Sequence, residues 1–509
     1  MHNKNIYPKD WVTCHPYRIA DEIDLYYANL SDKVYKVLSQ PDVFDLFGYE
    51  KDALMFVAIR LTMWFEDIVS NNGIWKAVTT EFKKRYNTTL PFYETGDDYE
   101  EGFVNYEDIR FLLWNEAQSY QYGNCFINPE NPVIEKTAFE LYVLFDENWE
   151  TAPENERLHL FIHNDNVLDS YWSARKLLEW FHQFAFVNTN AEYDLNEALA
   201  SQSEDHFSFD GINSDIYLIN IQDTFCHKRN ILSITSQQWM ARIRDKREYD
   251  IWENIKWKNI SAFICESEDD TRVVFKDLIF EEKYTVEKES FDNSIIKHGF
   301  NNKNDVFLCS LVSFKEHWYQ CGPMTLSKMN PKLQNWIDER TIALRNIKYQ
   351  PTLYPKFLDI SNGKELLFVG SVDEIKNIYK HLGFKEVDQH SFPDFDNCIV
   401  LCSPFNGISI IPNMCECIFA DNNPYYDKEK AMEYAHTFYF DPEQIEYRHS
   451  CNLHENNMLP DAKINSLKGD DYGNLFLHKN GSFIIDYCFS CTKQYDYDAQ
   501  FTIYQMQAI

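Results

Sequence analysis

Glycine is scarce, with 15 in 509 residues. Tight turns and phosphate-cradling loops depend on glycine's freedom at positive φ, so few such loops fit this chain. No G-x-G-x-x-G and no G-x-x-x-x-G-K-[ST] occurs, which removes the usual Rossmann and P-loop routes to nucleotide binding. The nucleophile elbow G-x-S-x-G, the zinc motif H-E-x-x-H and the EF-hand loop are also absent. Positive charge is short as well: Lys+Arg number 48 against 80 Asp+Glu, a net charge of -32. The basic clusters are brief, at Lys83–Arg85 and Arg242–Arg247. Such a surface repels phosphate backbones, so no direct nucleic-acid binding is expected. Long apolar runs are missing too. The most apolar one, Ala53–Phe65, is broken by Arg60 and Thr62 and falls short of the roughly 20 residues of a membrane span. The first residues show no apolar signal-peptide core. These absences lead us to expect a cytoplasmic protein without membrane contact, its 13 cysteines reduced.

What is present suits a packed interior. Hydrophobic residues make up 44% of the chain and aromatic rings 16%, enough to offset the entropy of folding. The length points to more than one domain. Residues 1–190 read as successive amphipathic helices forming an all-α domain. One of them carries Ile23, Tyr26, Tyr27, Leu30, Val34, Val37 and Leu38 at helical spacing. Residues 191–254 read as an acidic, polar linker followed by short helices, one led by a Ser or Thr cap. Period-two alternation then marks 255–325 as an antiparallel β-meander or small barrel. Residues 326–509 mix both periods and read as an α+β domain ending in helices. Here Ser371 and Glu374 form a capping box and Gly383 marks a helix stop. The fold class expected is thus multidomain α+β.

Two clusters have the residue types of metal ligands. Cys451 and His454 sit at i and i+3 of one predicted helix. Cys488 and Cys491 form a C-x-x-C near the end of the next. Each pair shares a helical face, so packed helices would offer four tetrahedral zinc ligands. The alternative is buried structural cysteine, since Phe483, Ile484, Tyr487, Cys488 and Cys491 form one apolar stripe. Redox chemistry fits poorly, because the C-x-x-C lies at a helix end whose dipole opposes a thiolate. Glu156, His159 and His163 form a second cluster on one helical face, as carboxylate-bridged di-iron sites begin. Another E-x-x-H is Glu433–His436, and the competing reading is a polar flank of an amphipathic helix. Cys415 and Cys417 read as inward-facing neighbours on a strand. Glu66 and Asp67 read as caps or the outer face of a helix, although a buried pair with shifted pKa values is the other possibility. Zinc is the one cofactor these patterns suggest, and no catalytic residue is indicated.

Four phrases resemble a known family: Ile6–Tyr17, Trp64–Tyr93, Val312–Gly322 and Leu459–Gly473. They are similar to a family of bacterial proteins, mainly from Bacteroidetes, defined only as a domain of unknown function. The resemblance spans nearly the whole chain and implies a full-length relationship and a bacterial cytoplasmic origin. It carries no residue role, cofactor or partner. Aromatic richness and an acidic surface favour a protein-binding or scaffolding role without catalysis. The alternatives are a metal-dependent enzyme and an acidic nucleic-acid mimic. Exposed rings gathered in one patch favour binding, whereas tryptophans all lost in cores remove that support.

Overall fold

The structure is a computed structural model. It describes residues 5–47, 51–119, 127–188, 212–228, 230–349, 352–384, 395–404, 407–431, 445–458 and 474–490. The chain is mixed α+β. Its first part runs α1 (Pro8–Thr13), α2 (Glu22–Leu38), α3 (Pro41–Leu46), α4 (Lys51–Val69), α5 (Ile74–Tyr86), α6 (Tyr106–Ser119), α7 (Pro132–Trp149), α8 (Glu156–His163) and α9 (Tyr171–Phe184). Local chemistry sets the boundaries. The Asp21 carboxylate accepts the backbone N–H groups of Ile23 and Asp24 at 2.9 and 3.2 Å, and Asp24 returns the bond to Asp21 N at 2.9 Å. This reciprocal cap starts α2. Pro132 opens α7, where its missing N–H costs nothing. Helix α4 is the axle of this region. Leu54, Val57, Ala58, Leu61, Trp64 and Phe65 are all buried, and the helix packs on α2, α5 and α6.

Three further helices lead to the sheet: α10 (Ile212–Cys226), α11 (Ser236–Ile243) and α12 (Tyr249–Glu253). Residues 191–254 are expected from the sequence to hold a linker followed by short helices. Its polar start lies outside the described residues, but Ile212–Cys226 is a helix whose Leu218, Ile221 and Phe225 are buried. The cap before α11 is Thr235, whose N–H donates to Gln238 Oε1 at 3.0 Å.

Strands β1 (Trp257–Glu268), β2 (Arg272–Asp277), β3 (Lys283–Glu287), β4 (Asp305–Phe314) and β5 (His317–Lys328) close a barrel in the order β1-β2-β3-β5-β4. Of the two expected arrangements, meander or small barrel, the structure has the barrel. A meander pairs only sequential strands, whereas here β3 runs parallel to β5 at Val286–Trp318 and β4 returns to β1. Helix α13 (Asn293–His298) lies between β3 and β4. Order, parallel pair and helix placement are those of the OB-type Greek-key barrel. Phe263, Phe275, Phe291, Phe300 and Phe307 fill its interior. A buried ion pair, Lys258–Asp277 at 3.0 Å, stands beside them, with Lys258 Nζ 3.3 Å from the centre of the Phe280 ring. Burial pushes the Lys258 amine down from its ordinary range, against the pull of Asp277. Gly322 lies at a bulge in β5 with φ +87°, and a Cβ there would stand 3.1 Å from Ile221 Cγ2. The absent side chain lets α10 rest against the barrel.

The remaining elements are α14 (Pro331–Tyr349), α15 (Leu353–Ile360), β6 (Leu366–Val369), α16 (Val372–Leu382), β7 (Cys398–Ser403), β8 (Gly407–Pro412), α17 (Tyr447–Glu455) and α18 (Asn474–Ser490). Strands β6, β7 and β8 form a three-stranded antiparallel sheet. Ser371 caps α16 and Gly383 ends it at φ +98°. Cys415–Cys417 is a 3-10 turn, not the strand expected. Its two thiols are buried without alternation, as Asn397 and Asn423 side chains tie down the local backbone. Helix α18 packs into the N-terminal helices. Phe483 stands 5.8, 5.3 and 5.9 Å from the rings of Phe82, Phe92 and Phe111. Asn480 Oδ1 accepts Phe92 N at 3.0 Å. One continuous apolar cluster therefore runs from the first helices to the last. Truncating Phe483 to alanine should lower unfolding free energy by about 3–5 kcal/mol, the usual cost of a large buried ring. Denaturant unfolding monitored separately by α-helical and barrel signals checks this; an effect below about 1 kcal/mol would contradict the packing described.

Candidate functional site

Helix α4 carries three charged residues through an apolar core, and each meets a partner inside it. Arg60 pairs with Glu116 and donates to Asn188 O at 3.1 Å. Glu66 accepts from His15 Nε2 at 2.9 Å and from Asn155 Nδ2 at 2.8 Å. Asp67 accepts the N–H groups of Ile74 and Trp75 at 3.1 and 2.8 Å, capping α5 from outside that helix. Of the readings for Glu66 and Asp67, the outer face is overturned: the residues are 0% and 3% exposed, the buried alternative, and Asp67 also serves as a cap. A helix surrounded by other helices has no outer face, so its carboxylates are retained only where donors meet them.

The network continues towards the surface. Asn155 Nδ2 also donates to the Tyr17 hydroxyl at 2.7 Å, and Tyr17 donates to Asp24 Oδ1 at 3.0 Å. The Arg157 guanidinium lies 3.5 Å from the Tyr17 ring centre and reaches Asp21 and Asp24 at 2.5 and 3.4 Å. Asn155 also caps α8 by accepting Leu158 N at 3.1 Å. Burial opposes the His15 charge. The Glu66 carboxylate and the Trp11 carbonyl overcome that effect and hold its pKa above the ordinary value. Burial pushes Asp67 up to about 7, more than its two backbone donors pull it down. Asp108 in α6 is likewise pushed up to about 7 by burial. The His15 and Glu66 side chains are both 0% exposed. Their hydrogen bonds tie the segment after α1, α4 and the start of α8 together.

The expected metal clusters are placed as follows. Glu156 opens α8 and is exposed. His159 and His163 have ring centres 4.6 Å apart, and His163 Nε2 donates to Asn72 O at 2.8 Å. Burial holds the His163 pKa below its ordinary value. The structure thus brings together the two histidines and leaves the carboxylate in solvent. Glu433 and His436 lie outside the described residues. In the C-terminal cluster, α17 and α18 pack antiparallel, with Tyr447 against Phe489 and Asp486 at one end and His454 against Gly481 at the other. A Cβ at 481 would lie 2.5 Å from His454 Cε1. Gly481 and Cys488 are separated by two helical turns, about 10 Å along the axis, so the His454 ring and Cys488 lie at different levels. Burial pushes the Cys451 thiol up to about 11. Cys491 lies outside the described residues. Among the described residues no group of three or more His, Cys, Asp or Glu is arranged to hold a metal ion.

The barrel presents β2 and β3, the face that barrels of this type use for oligonucleotides and oligosaccharides. Three of its cations are paired with carboxylates: Arg272 with Glu287 at 2.7 Å, Lys283 with Glu266 at 2.6 Å and Lys288 with Glu268 at 2.6 Å. Such pairing leaves little positive field for a phosphate backbone.

The surface carries one connected group of rings on α6 and α7. Phe139 is 60% exposed and Val143 39%. The Tyr106 ring lies 6.5 Å from both Phe139 and Tyr142. Phe103, 48% exposed in the turn before α6, makes a second pair, 5.5 Å from Trp149 at the end of α7. The tryptophans behave otherwise: Trp11, Trp64, Trp114, Trp239 and Trp252 are completely buried, and Trp172 is the large exposed one. Aromatic abundance therefore reports mainly on the core.

A family described as Protein of unknown function (DUF3843) matches residues 5–305 and 337–490. The chain belongs to that family. Neither the curated proteins nor the solved structures contain a match. Both matched segments of the family contain the elements just described: His15, Glu66 and Asn155 fall in the first, and α17 and α18 in the second. Among the described residues no helix is long and apolar enough to cross a membrane.

Titration gives the buried acid a measurable signature. Asp67 has an ordinary value of 3.8 and a folded value of about 7. Its bound proton therefore adds stability that is fully present below pH 3.8 and is lost as pH rises through about 7. His15, raised above 6.5, acts in the same direction over a higher window. Asp67→Asn should flatten the fall in unfolding free energy between about pH 4 and 7 while leaving the His15 part intact. Unfolding curves collected at a series of pH values test this, and an unchanged slope in the variant would contradict it.

Proposed function

We propose that the protein is a non-catalytic binding scaffold that acts in the cytoplasm by holding a protein partner. The observation that carries this reading is the surface patch of exposed Phe139 and Val143 beside the half-buried rings of Tyr106 and Tyr142 on α6 and α7, with exposed Phe103 in the turn before α6. Exposed apolar patches of connected rings mark contact sites, because aromatic anchors give large buried area at low entropic cost. The buried titratable groups support the same reading. Glu66, Asp67, Asp108 and Glu116 all have internal hydrogen-bond or ion-pair partners that tie the helices together.

The test is a gentle pull-down of the tagged full chain, with and without nuclease. One partner at matching stoichiometry that survives nuclease and is lost with Phe139→Ser/Val143→Ser is the expected result. Unchanged recovery with the substituted protein, or no partner at all, would contradict the proposal.

A further inference from the structure

The chemistry around the exposed strip narrows the partner. Glu100 and Glu101 flank Phe103, and Glu135, Asp146 and Glu147 stand exposed along α7. The cations in reach are engaged: Arg110 pairs with Glu130 at 2.6 Å and Lys136 with Glu140 at 4.0 Å. The Tyr106 hydroxyl donates to the backbone carbonyl of Glu135 at 3.2 Å, which holds this ring against the first turn of α7. An apolar strip inside a carboxylate field is complementary to a surface with an apolar stripe and Lys or Arg on its flanks. From Phe139 to Trp149 helix α7 runs about 15 Å, the length of roughly three turns of a docked helix.

We infer that this strip is the docking face for a cationic amphipathic helix of a partner protein. The inference rests on the scaffold reading and specifies its ligand. The partner's leucine-type side chains cover Phe139, Tyr142 and Val143, as in helix-in-groove recognition. Its lysines or arginines meet the rim carboxylates and the faces of Phe103 and Tyr106. The chain's net charge of -32 steers such a helix towards the surface and repels competitors. A second copy of this chain is disfavoured, since a two-fold contact would set the same carboxylates against each other. An anionic lipid surface is disfavoured by the same repulsion.

The probe is a fluorescein-labelled Leu/Lys peptide of about 14 residues, long enough for the three turns. It is titrated into the full chain beside a same-composition peptide whose order destroys the apolar stripe. We expect the striped peptide to bind, to weaken with added salt, and to lose about tenfold in affinity on Phe139→Ser/Val143→Ser, as for an aromatic hot spot. Both substituted positions are exposed, so thermal unfolding should be unchanged. Equal binding of the two peptides, or equal affinity for both proteins, overturns the inference. So does a dimer that the substitutions convert to monomer, which would identify a second copy as the occupant. If these peptides fail while the pull-down still yields a partner dependent on Phe139 and Val143, the cationic helix is wrong and the scaffold stands.

Discussion

One buried carboxylate ties α1, α2, α4 and α8 together. Glu66 stands on the axle helix with no access to water, and a charge in that position persists only when donors surround it. Those donors come from far along the chain: His15 from the segment after α1, and Asn155 from the cap of α8. Meeting the demand of Glu66 therefore fixes where α1 ends and where α8 begins. It also places Tyr17 between Asn155 and Asp24, and through them Arg157 and the cap of α2. Removing one partner would leave the other charges buried and unmatched, which costs more than any of the hydrogen bonds adds.

The same rule separates interior from surface. Inside, charges occur as satisfied sets: Arg60 with Glu116, Asp67 with the start of α5, Lys258 with Asp277. On the barrel face Arg272 and Lys283 are matched across strands. Around Phe139 the pattern reverses, with rings in solvent and carboxylates beside them in excess over cations. That contrast, more than aromatic content alone, distinguishes a surface for recognition from a surface that is merely solvated.

Much of the secondary structure was legible because its signals are local. The Ser371–Glu374 cap, the Gly383 stop, Pro132 at the head of α7 and the period-two strands before Lys328 act within a few residues. What depends on distant residues was not legible. Barrel closure requires β3 to meet β5 across an intervening helix and strand, and alternation is the same in a meander. Glu66 and Asp67 looked like an outer face because the local pattern cannot show that α4 is covered on all sides. Charges set within "LTMWFEDIV" were the available signal, together with Asn155 as a cap of the following helix. The helical spacing of Glu156, His159 and His163 was right as geometry, yet solvent takes the carboxylate. The placement of Phe483 among Phe82, Phe92 and Phe111 joins residues some 400 positions apart, and no local pattern encodes that.

The most direct measurement is a double-mutant cycle between His15 and Glu66 at about pH 6, where the paired histidine holds its proton. His15→Gln, Glu66→Gln and the double variant would be compared with the unsubstituted chain by denaturant unfolding. A coupling energy of about 1–3 kcal/mol is expected, with the double variant more stable than the two single losses imply. Losses that add within about 0.5 kcal/mol would mean the two residues do not depend on each other, contradicting Glu66 as the group around which these helices are tied.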